Sequence, residues 1–369
     1  MLEVKRILDD ALKNHQIPCS DIAVSVDGKM VYRYMNGTRD DEQIVPIKGD
    51  ELYYLYSASK PITCTAALQL YEKGLIDLED TVDKFIPEYK NLLVKTEDGI
   101  VPAKNAMKIK HLFTMTSGLS YDLTTPEICG QISKNPESTT LDLVKAMAKT
   151  PLEFEPGTHY LYSLSHDVLA AVVEVVSGMN YGEYLQKNIF DVCGMKNTYV
   201  GCPEGVRERI VSQYLYDENG DKTSLMEKEN NYILTPKYQS GGAGLVSCVD
   251  DYMLFQNALI GGKLLKSDTV ELMRQDHLSE VEYNDFQNFK QVYSYGLGVR
   301  TNIADKFSVK GEFGWDGAAG AYGIMDPDNH LVVFYVTHVR NRGYMYSDLH
   351  PQIRDAVYHE LGIRKYNEE

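Results

Sequence analysis

The sequence predicts an α+β fold in which one antiparallel sheet is built from both ends of the chain. Two strand-like runs, residues 22–26 and 31–34, are joined through Asp27-Gly28, a dipeptide typical of hairpin turns. Strand-like runs return only after residue 290, and helical periodicity dominates the chain between them. We therefore expect the two ends to share one sheet flanked by terminal helices, with a large and mainly helical region inserted between them.

The helices are predicted from apolar periodicity and from the residues at their ends. Residues 1–13 have an amphipathic pattern, and residues 61–73 read as an apolar helix that is closed by Gly74. The clearest helices of the inserted region are residues 141–149, 167–176, 181–190 and 250–259, and a final helix covers residues 351–361.

The strands near the C-terminus are predicted at residues 295–301, 306–310, 321–325 and 331–339. The last run is dense in β-branched and aromatic residues, which favours a central strand. No repeat, low-complexity tract or linker divides the chain, so residues 1–369 are predicted to form one domain. Within it, the sheet part covers about residues 1–56 and 290–369, and the helical part covers about residues 57–289.

The composition excludes several classes of partner. The chain has 53 acidic and 37 basic residues, a net charge of -16, which disfavours nucleic acid and anionic membrane surfaces. No apolar run approaches the length of a membrane span, and the N-terminus lacks the apolar core of a secretory signal. The six cysteines are scattered and include no Cys-x-x-Cys pair, which is typical of reduced thiols. A cytoplasmic location is therefore expected.

One tetrapeptide, Ser57-Ala58-Ser59-Lys60, carries the strongest chemical signal. Residues three apart lie on one helical face, so the serine hydroxyl and the lysine amine can meet. A serine becomes a good nucleophile only when a base takes its proton, and a lysine in low dielectric can serve as that base. The alternative is structural, with Ser57 as a helix N-cap and Lys60 as a solvated surface residue.

Other catalytic signatures are missing from the sequence. Gly-x-Ser-x-Gly and His-Glu-x-x-His do not occur, and the nine histidines show no metal-ligand spacing. His159 and His166 are interpreted as structural residues. No metal and no organic cofactor are predicted.

Further motifs accompany the tetrapeptide in a fixed order along the chain. They are His111-Leu-Phe-Thr-Met-Thr-Ser-Gly-Leu119, the stretch Glu155 to Asp167 with Pro156-Gly157 and Tyr162-Ser163, the glycine-rich run Gln239 to Ser247, and Gly314-Trp315-Asp316-Gly317. Together they resemble the serine β-lactamase and penicillin-recognising hydrolase superfamily, most closely its esterase-like branch related to class C β-lactamases. The resemblance covers about residues 20–340 and implies a β-lactamase/transpeptidase-like fold. The glycines of the 239–247 run are interpreted as permitting a tight turn and close backbone approach.

The resemblance also implies a role for each matching residue. Ser57 matches the nucleophile, Lys60 its helical partner, and Tyr162 the tyrosine of the Tyr-x-Asn motif, with Tyr160 as its nearest rival. Trp315-x-Gly317 matches the Lys-Thr-Gly strand motif, which implies an oxyanion hole made by the backbone N–H groups of Ser57 and Ala318. Whether the lysine or the tyrosine is the general base is left open.

Two departures from the superfamily pattern bear on the substrate. Leu164 occupies the place of the asparagine that orients an acylamino group, and no Lys-x-Gly, Arg-x-Gly or His-x-Gly is present to bind a carboxylate. Leu164, Trp315 and Gly317 are therefore predicted to line a pocket for uncharged, partly apolar esters, which indicates a carboxylesterase or an ester-dependent acyl transferase. Two alternatives remain. One is a D-amino-acid peptidase, DD-carboxypeptidase or weak β-lactamase acting on a small-molecule amide, with another cation replacing the missing one. The other is a non-catalytic sensor.

Overall fold

The computed structural model describes residues 1–40, 42–216, 222–224, 230–289, 293–305 and 308–364. Its α-helices within these ranges, in chain order, are α1 (Leu2–Asn14), α2 (Lys60–Glu72), α3 (Ile109–Phe113), α4 (Pro126–Lys134), α5 (Thr140–Met147), α6 (Ser165–Ser177), α7 (Tyr181–Leu185), α8 (Asp191–Cys193), α9 (Val249–Ile260), α10 (Ser267–Arg274), α11 (Glu280–Phe289) and α12 (His350–Glu360).

The strands of the same ranges are β1 (Cys19–Val26), β2 (Lys29–Gly37), β3 (Tyr53–Tyr54), β4 (Leu93–Thr96), β5 (Gly99–Pro102), β6 (Tyr199–Val200), β7 (Tyr214–Tyr216), β8 (Lys222–Ser224), β9 (Leu245–Ser247), β10 (Ser294–Tyr295), β11 (Arg300–Thr301), β12 (Phe313–Gly314), β13 (Tyr322–Asp326), β14 (Leu331–Val336) and β15 (Val339–Arg340). Short 3₁₀ turns and two π-helical turns connect several of them.

A seven-stranded antiparallel sheet joins the two ends of the chain. Its strand order is β10-β11-β12-β13-β14-β1-β2, so β1 from the N-terminal end pairs directly with β14 from the C-terminal end. Ile22 lies opposite Tyr335 and Val24 lies opposite Val333. The predicted α+β fold, with a sheet built from both ends, is confirmed.

Strand β14 shows why its sequence is apolar at every position. Leu331, Val333 and Tyr335 belong to a core shared with α1 and α12, whereas the alternating residues Val332 and Phe334 belong to the larger core on the other face. Side chains of a strand alternate between the two faces of its sheet. Because both faces are covered by helices, an unbroken apolar run results.

Two predicted strands differ from the structure at turns. The predicted strand 295–301 is a hairpin, because β10 and β11 pair antiparallel with Tyr295 opposite Arg300. Gly298 between them has a φ of 82°, a left-handed conformation that glycine adopts without steric cost. The predicted strand 331–339 ends at Val336, and β15 pairs instead with β7 in a separate three-stranded sheet.

One further predicted strand is not found among the described residues, and one predicted helix differs in type along its length. Of the predicted strand 306–310, Lys306 and Phe307 lie outside the described residues, and residues 308–310 form no strand. The predicted helix 181–190 is α-helical only to Leu185 and continues as a π-helical turn, Gln186–Phe190. The division into a sheet part and a helical part stays a prediction. No helix in the described segments is long and apolar enough to cross a membrane. All six cysteines are unpaired.

Candidate active site

Ser57 and Lys60 meet at the junction between a 3₁₀ turn and helix α2. Ser57 lies in the turn Tyr56–Ser59, and Lys60 is the first residue of α2. The Lys60 Nζ donates hydrogen bonds to Ser57 Oγ at 3.2 Å and to the Gly242 carbonyl oxygen at 2.7 Å. The lysine side chain has no solvent exposure. The contact expected from the spacing of three is therefore present, and the solvated-surface alternative for Lys60 does not hold.

Burial changes the acid–base character of this lysine. Loss of hydration lowers the pKa of Lys60 to about 7, although the nearby Asp167 carboxylate acts in the opposite direction. A lysine with this pKa is substantially neutral at physiological pH, and a neutral amine can accept a proton. The arrangement therefore places an amine that is able to accept a proton 3.2 Å from the Ser57 hydroxyl.

Asp167 is a residue whose importance the sequence did not reveal. It is buried, and its Oδ1 accepts hydrogen bonds from the Tyr238 hydroxyl at 2.7 Å and from Ser240 Oγ at 2.6 Å. A methyl group added at Gly242 would lie 2.8 Å from Asp167 Oδ2 and 3.3 Å from Lys60 Nζ. Gly242 therefore leaves the space in which the carboxylate and the amine lie near each other. A buried acidic residue in the first turn of the apolar helix α6 was the available signal.

Tyr162 contacts the same hydroxyl group. Its own hydroxyl accepts a hydrogen bond from Trp315 Nε1 at 3.2 Å and lies close enough to Ser57 for the serine to favour its ionised form. The Lys60 Nζ lies 4.6 Å from the centre of the Tyr162 ring. Burial raises the pKa of Tyr162 well above its ordinary value, so the phenol keeps its proton at neutral pH. The rival Tyr160 instead packs its ring against Phe286 at 5.0 Å, in an adjacent aromatic cluster.

Tyr121 is a second tyrosine at Ser57 that the sequence did not single out. Its hydroxyl also lies near Ser57, and burial raises the pKa of Tyr121. Its ring stacks on Tyr162 with centroids 5.4 Å apart and lies 5.5 Å from Lys60 Nζ. In a chain with 27 tyrosines, the only signal was its position two residues after the Ser-Gly-Leu motif.

The segment after β12 passes directly beside the turn that carries Ser57. A methyl group at Gly317 would lie 2.2 Å from the Leu55 carbonyl oxygen, so only glycine permits this approach. The Gly317 N–H donates to Ala321 at 2.8 Å, and its carbonyl accepts from the Tyr346 hydroxyl at 3.0 Å. These contacts hold Ala318 next to Ser57. Tyr56, immediately before Ser57, has a φ of 46°, an uncommon conformation for a residue with a side chain.

A cleft of about 360 Å³ opens above Ser57. The residues that line it are Ser57, Tyr162, Trp315, Asp316, Gly317, Ala318 and Tyr346. It therefore brings together every predicted site residue except Lys60, which lies buried beside Ser57, and Leu164. The structure does not bring Leu164 to this cleft. Leu164 is buried just before α6 and lines a separate, smaller cavity together with Leu119 and Thr150.

The histidines and the cysteine nearest the site lie behind it. His166 Nε2 lies 3.3 Å from the Phe113 carbonyl oxygen and 3.6 Å from Cys64 Sγ, and burial lowers the pKa of His166 to about 3. His159 contacts Asp285 at 2.9 Å. Among the residues that the structure describes, no group of three or more metal-ligating side chains lies together. His166 and Cys64 are therefore part of the packed interior, whereas His159 is exposed.

Comparison with known proteins assigns the chain to a family. The family model described as "Beta-lactamase" matches residues 4–357. The chain belongs to the β-lactamase family. Its relatives within that family include a lovastatin esterase of Penicillium rubens, 31% identical over 73% of this chain and 71% of that protein. Esterase EstB of Burkholderia gladioli is 27% identical over 95% of this chain and 93% of its own length. The β-lactamase-family chain is thus an enzyme of the serine hydrolase type.

A solved structure of the same family agrees over the whole length. EstCE1, described as a hydrolase with promiscuous acyltransferase activity, is 26% identical and superimposes with a TM-score of 0.82. The match covers 97% of this chain and 98% of that one. The β-lactamase/transpeptidase-like fold expected from the sequence is confirmed.

Proposed function

We propose that this protein is a carboxylesterase or an ester-dependent acyl transferase that forms an acyl-enzyme on Ser57. Lovastatin esterase, esterase EstB and EstCE1 support this reading because their names describe ester hydrolysis or acyl transfer. The single observation that carries the proposal is the buried Lys60 amine, 3.2 Å from Ser57 Oγ and with a pKa of about 7.

The first half-reaction uses the Ser57 hydroxyl, the Lys60 amine and two backbone N–H groups. As Ser57 Oγ bonds to the carbonyl carbon, its proton passes to the Lys60 amine. The carbonyl oxygen becomes an oxyanion and accepts hydrogen bonds from the backbone N–H groups of Ser57 and Ala318. Donors fixed in a site with little water stabilise this charge, and the loss of one costs about 2.7–4 kcal/mol in comparable enzymes.

Departure of the alcohol requires a proton, and Tyr162 is the proposed donor. Its raised pKa keeps the phenol protonated at neutral pH, and its hydroxyl lies beside Ser57. Tyr162 gives its proton to the leaving oxygen as the carbon–oxygen bond breaks, and it recovers a proton from the Lys60 ammonium. Water or a second alcohol then attacks the acyl-enzyme with Lys60 again as the base, which restores Ser57.

The lining of the cleft favours substrates with apolar groups near the ester. Tyr162, Trp315 and Tyr346 present aromatic surface to the cleft, and neither lysine nor arginine is among its described lining residues. Aromatic side chains bind apolar groups through buried area and ring contacts. An acyl or alcohol part without charge is therefore the proposed substrate.

A second candidate function is a peptidase or weak β-lactamase acting on a substrate that carries a carboxylate. One observation favours it. The Arg340 guanidinium lies 5.3 Å from the centre of the Tyr56 ring, and Tyr56 directly precedes Ser57. This arginine could replace the cation that the Trp315-x-Gly317 motif lacks.

Intact mass spectrometry distinguishes the two candidates. Wild type and Ser57→Ala are incubated separately with p-nitrophenyl butyrate and with a penicillin, and the mass of each protein is measured. We expect a butyryl adduct on wild type only, and no lasting adduct from the penicillin.

Cys64→Ala is the matched control, because it removes a buried nucleophilic atom one helical turn beyond Lys60. It should acquire the butyryl group as wild type does. A stable penicillin adduct that is lost in Ser57→Ala would favour the second candidate instead, and a butyryl adduct on Ser57→Ala would contradict the role of Ser57.

A further inference from the structure

Among the described residues that line the cleft, one is acidic, Asp316, and three are aromatic. Asp316 follows Trp315 in the chain, and its side chain is 8% exposed, so part of the carboxylate borders the cleft. Its charge acts on hydroxyl groups at both sides of the cleft, because it contributes to the raised pKa values of Tyr162 and Tyr346. A substrate bound at Ser57 therefore lies within the field of this carboxylate.

Asp316 pairs with a buried arginine that does not line the cleft. Arg300 Nη1 donates to Asp316 Oδ1 at 2.9 Å, and Arg300 Nη2 donates to the Gly323 carbonyl oxygen at 2.9 Å. The guanidinium lies 4.7 Å from the centre of the Tyr322 ring, and the arginine has no solvent exposure. A guanidinium nitrogen 2.9 Å from a carboxylate oxygen favours the ionised form of the carboxylate.

The Asp316–Arg300 ion pair has its carboxylate, and not its guanidinium, at the cleft. Asp316 lines the cleft and Arg300 does not, so the ion pair is a dipole with its negative end at the cleft. Such a dipole is weakly screened, because both side chains are almost completely buried. A negatively charged group entering the cleft meets the carboxylate before the guanidinium.

We propose that Asp316 makes this cleft select against substrates that carry a negative charge near the ester, and in favour of their uncharged isosteres. The inference deepens the proposed esterase function and rests on it. It goes beyond the missing cation, because the position next to Trp315 holds a fixed charge of the sign that repels a carboxylate. It assigns Asp316 a role in specificity.

One cation acts against this selection and is included in the test. The Arg340 guanidinium lies over the Tyr56 ring, and its charge opposes that of Asp316 at the Tyr346 hydroxyl. Because Arg340 is not among the residues lining the cleft, whereas Asp316 is, the carboxylate is the nearer charge to a bound substrate. Selection by Asp316 and recruitment by Arg340 predict opposite preferences.

Two pairs of matched esters measure the preference. The first pair is the mono-p-nitrophenyl ester of glutaric acid and the p-nitrophenyl ester of glutaramic acid, in which an uncharged amide replaces the free carboxylate. The charge of the acid in this pair lies in the acyl part. The butyrate esters of 4-hydroxybenzoic acid and of its amide place the charge in the alcohol. In wild type, kcat/KM for the amide should exceed that for the acid about tenfold or more in at least one pair.

Asp316→Asn should shift the same ratio by at least about tenfold towards the acid, because the side chain that faces the cleft then carries no negative charge. Reading the ratio across variants cancels the different intrinsic reactivities of the esters. Asp98→Asn, a change of one charge in the exposed turn between β4 and β5, is the control for the field of the whole molecule and should leave the ratio unchanged. Thermal unfolding checks that Asp316→Asn folds. If it does not, Arg300→Gln combined with Asp316→Asn removes the whole pair and should bring the ratio near one.

The outcomes separate the two inferences. If wild type cleaves the acids as fast as the amides or faster, Asp316 does not have the proposed role. If Arg340→Gln then loses this preference for the acids, the preference is due to Arg340. An unchanged ratio in Asp316→Asn overturns the role of Asp316 as well. If wild type cleaves none of the four esters, this result contradicts the proposed esterase function but does not test the role of Asp316. The binding constants of the same esters to Ser57→Ala then give the acid-to-amide ratio without turnover, and equal constants would overturn the selection.

Discussion

In the proposed mechanism, the chemistry of this site depends on one amine whose proton affinity is set by burial. Lys60 has no solvent exposure, and its pKa falls to about 7 because its charged form loses hydration. Near neutral pH it can therefore either accept or donate a proton. A surface lysine at the same spacing from Ser57 would remain charged and could not accept the proton.

This predicts the pH dependence of the reaction. The protonated amine cannot act as a base, so kcat/KM for a neutral ester should fall as the pH is lowered through about 7. Lys60→Ala should lower kcat by about 10²–10⁴. A pH–rate profile of wild type with p-nitrophenyl butyrate measures this fall, the acidic limb of the profile. A flat profile between pH 5 and 8 would contradict the assignment of Lys60 as the base.

Asp167→Asn should move this limb in a defined direction. The carboxylate raises the pKa of Lys60, so its removal should lower that pKa and shift the acidic limb to lower pH. The amide retains an oxygen that can accept from Tyr238 and Ser240, so the site should remain in place. A loss of activity at every pH with an unshifted limb would indicate a purely structural role for Asp167.

The two tyrosines at Ser57 should differ in importance. Tyr162→Phe removes the proposed proton donor and should cost about 10²–10⁴ in kcat while the acidic limb stays near pH 7. Tyr121→Phe removes a polar neighbour of the Ser57 hydroxyl and should lower kcat by about tenfold. Tyr160→Phe is the control, because its ring packs outside the cleft. If Tyr162→Phe loses the limb itself, then the tyrosine and not Lys60 is the base.

At the scale of elements, the site is an intersection of two segments that are distant in sequence. The 3₁₀ turn at Ser57 meets the segment that follows β12, and the approach is so close that Gly317 has no space for a side chain against Leu55. Helix α6 contributes Asp167, and the residues just before it contribute Tyr162. No single element contains the site.

Gly317→Ala tests this intersection. The added methyl group would lie 2.2 Å from the Leu55 carbonyl oxygen, so the segment that follows β12 must shift and carry Ala318 away from Ser57. We expect kcat to fall by about 10² or more, as for loss of an oxyanion donor. Gly130→Ala is the matched control. It adds a methyl group that meets nothing within 4 Å in helix α4, and it should leave activity unchanged.

At the scale of the whole molecule, the sheet makes the two chain ends a single structural unit. Phe334 on β14 is fully buried and stacks on Tyr252 of α9 with ring centroids 4.0 Å apart. Because β14 lies between β13 and β1, a defect at this point affects both the N-terminal and the C-terminal strands.

Phe334→Ala should therefore lower the free energy of unfolding by about 3–5 kcal/mol. Val31→Ala, on the exposed edge strand β2, should change it by less than about 0.5 kcal/mol. Chemical denaturation followed by circular dichroism measures both. Activity towards p-nitrophenyl butyrate and the circular dichroism signal of the sheet should be lost at the same denaturant concentration. Activity that persists after the sheet signal is lost would contradict a single structural unit.

The sequence alone determined whatever depends on neighbours along the chain. The spacing of Ser57 and Lys60 sets their contact, the alternation of β14 and the hairpin at Asp27-Gly28 set the sheet, and the ordered motifs pointed to the family. The same local patterns could not show that residues 295–301 fold back on themselves, because an apolar run hides the turn at Gly298.

Only the tertiary structure decided which distant residues meet. Asp167 and Tyr121 lie 107 and 61 residues from Lys60 in the chain, and no periodicity links them to it. Leu164 is in the motif but faces another cavity, because the start of α6 turns its side chain into the core. Sequence spacing fixes contacts within about one helical turn. The burial that sets the pKa of Lys60 is produced by packing of the whole molecule.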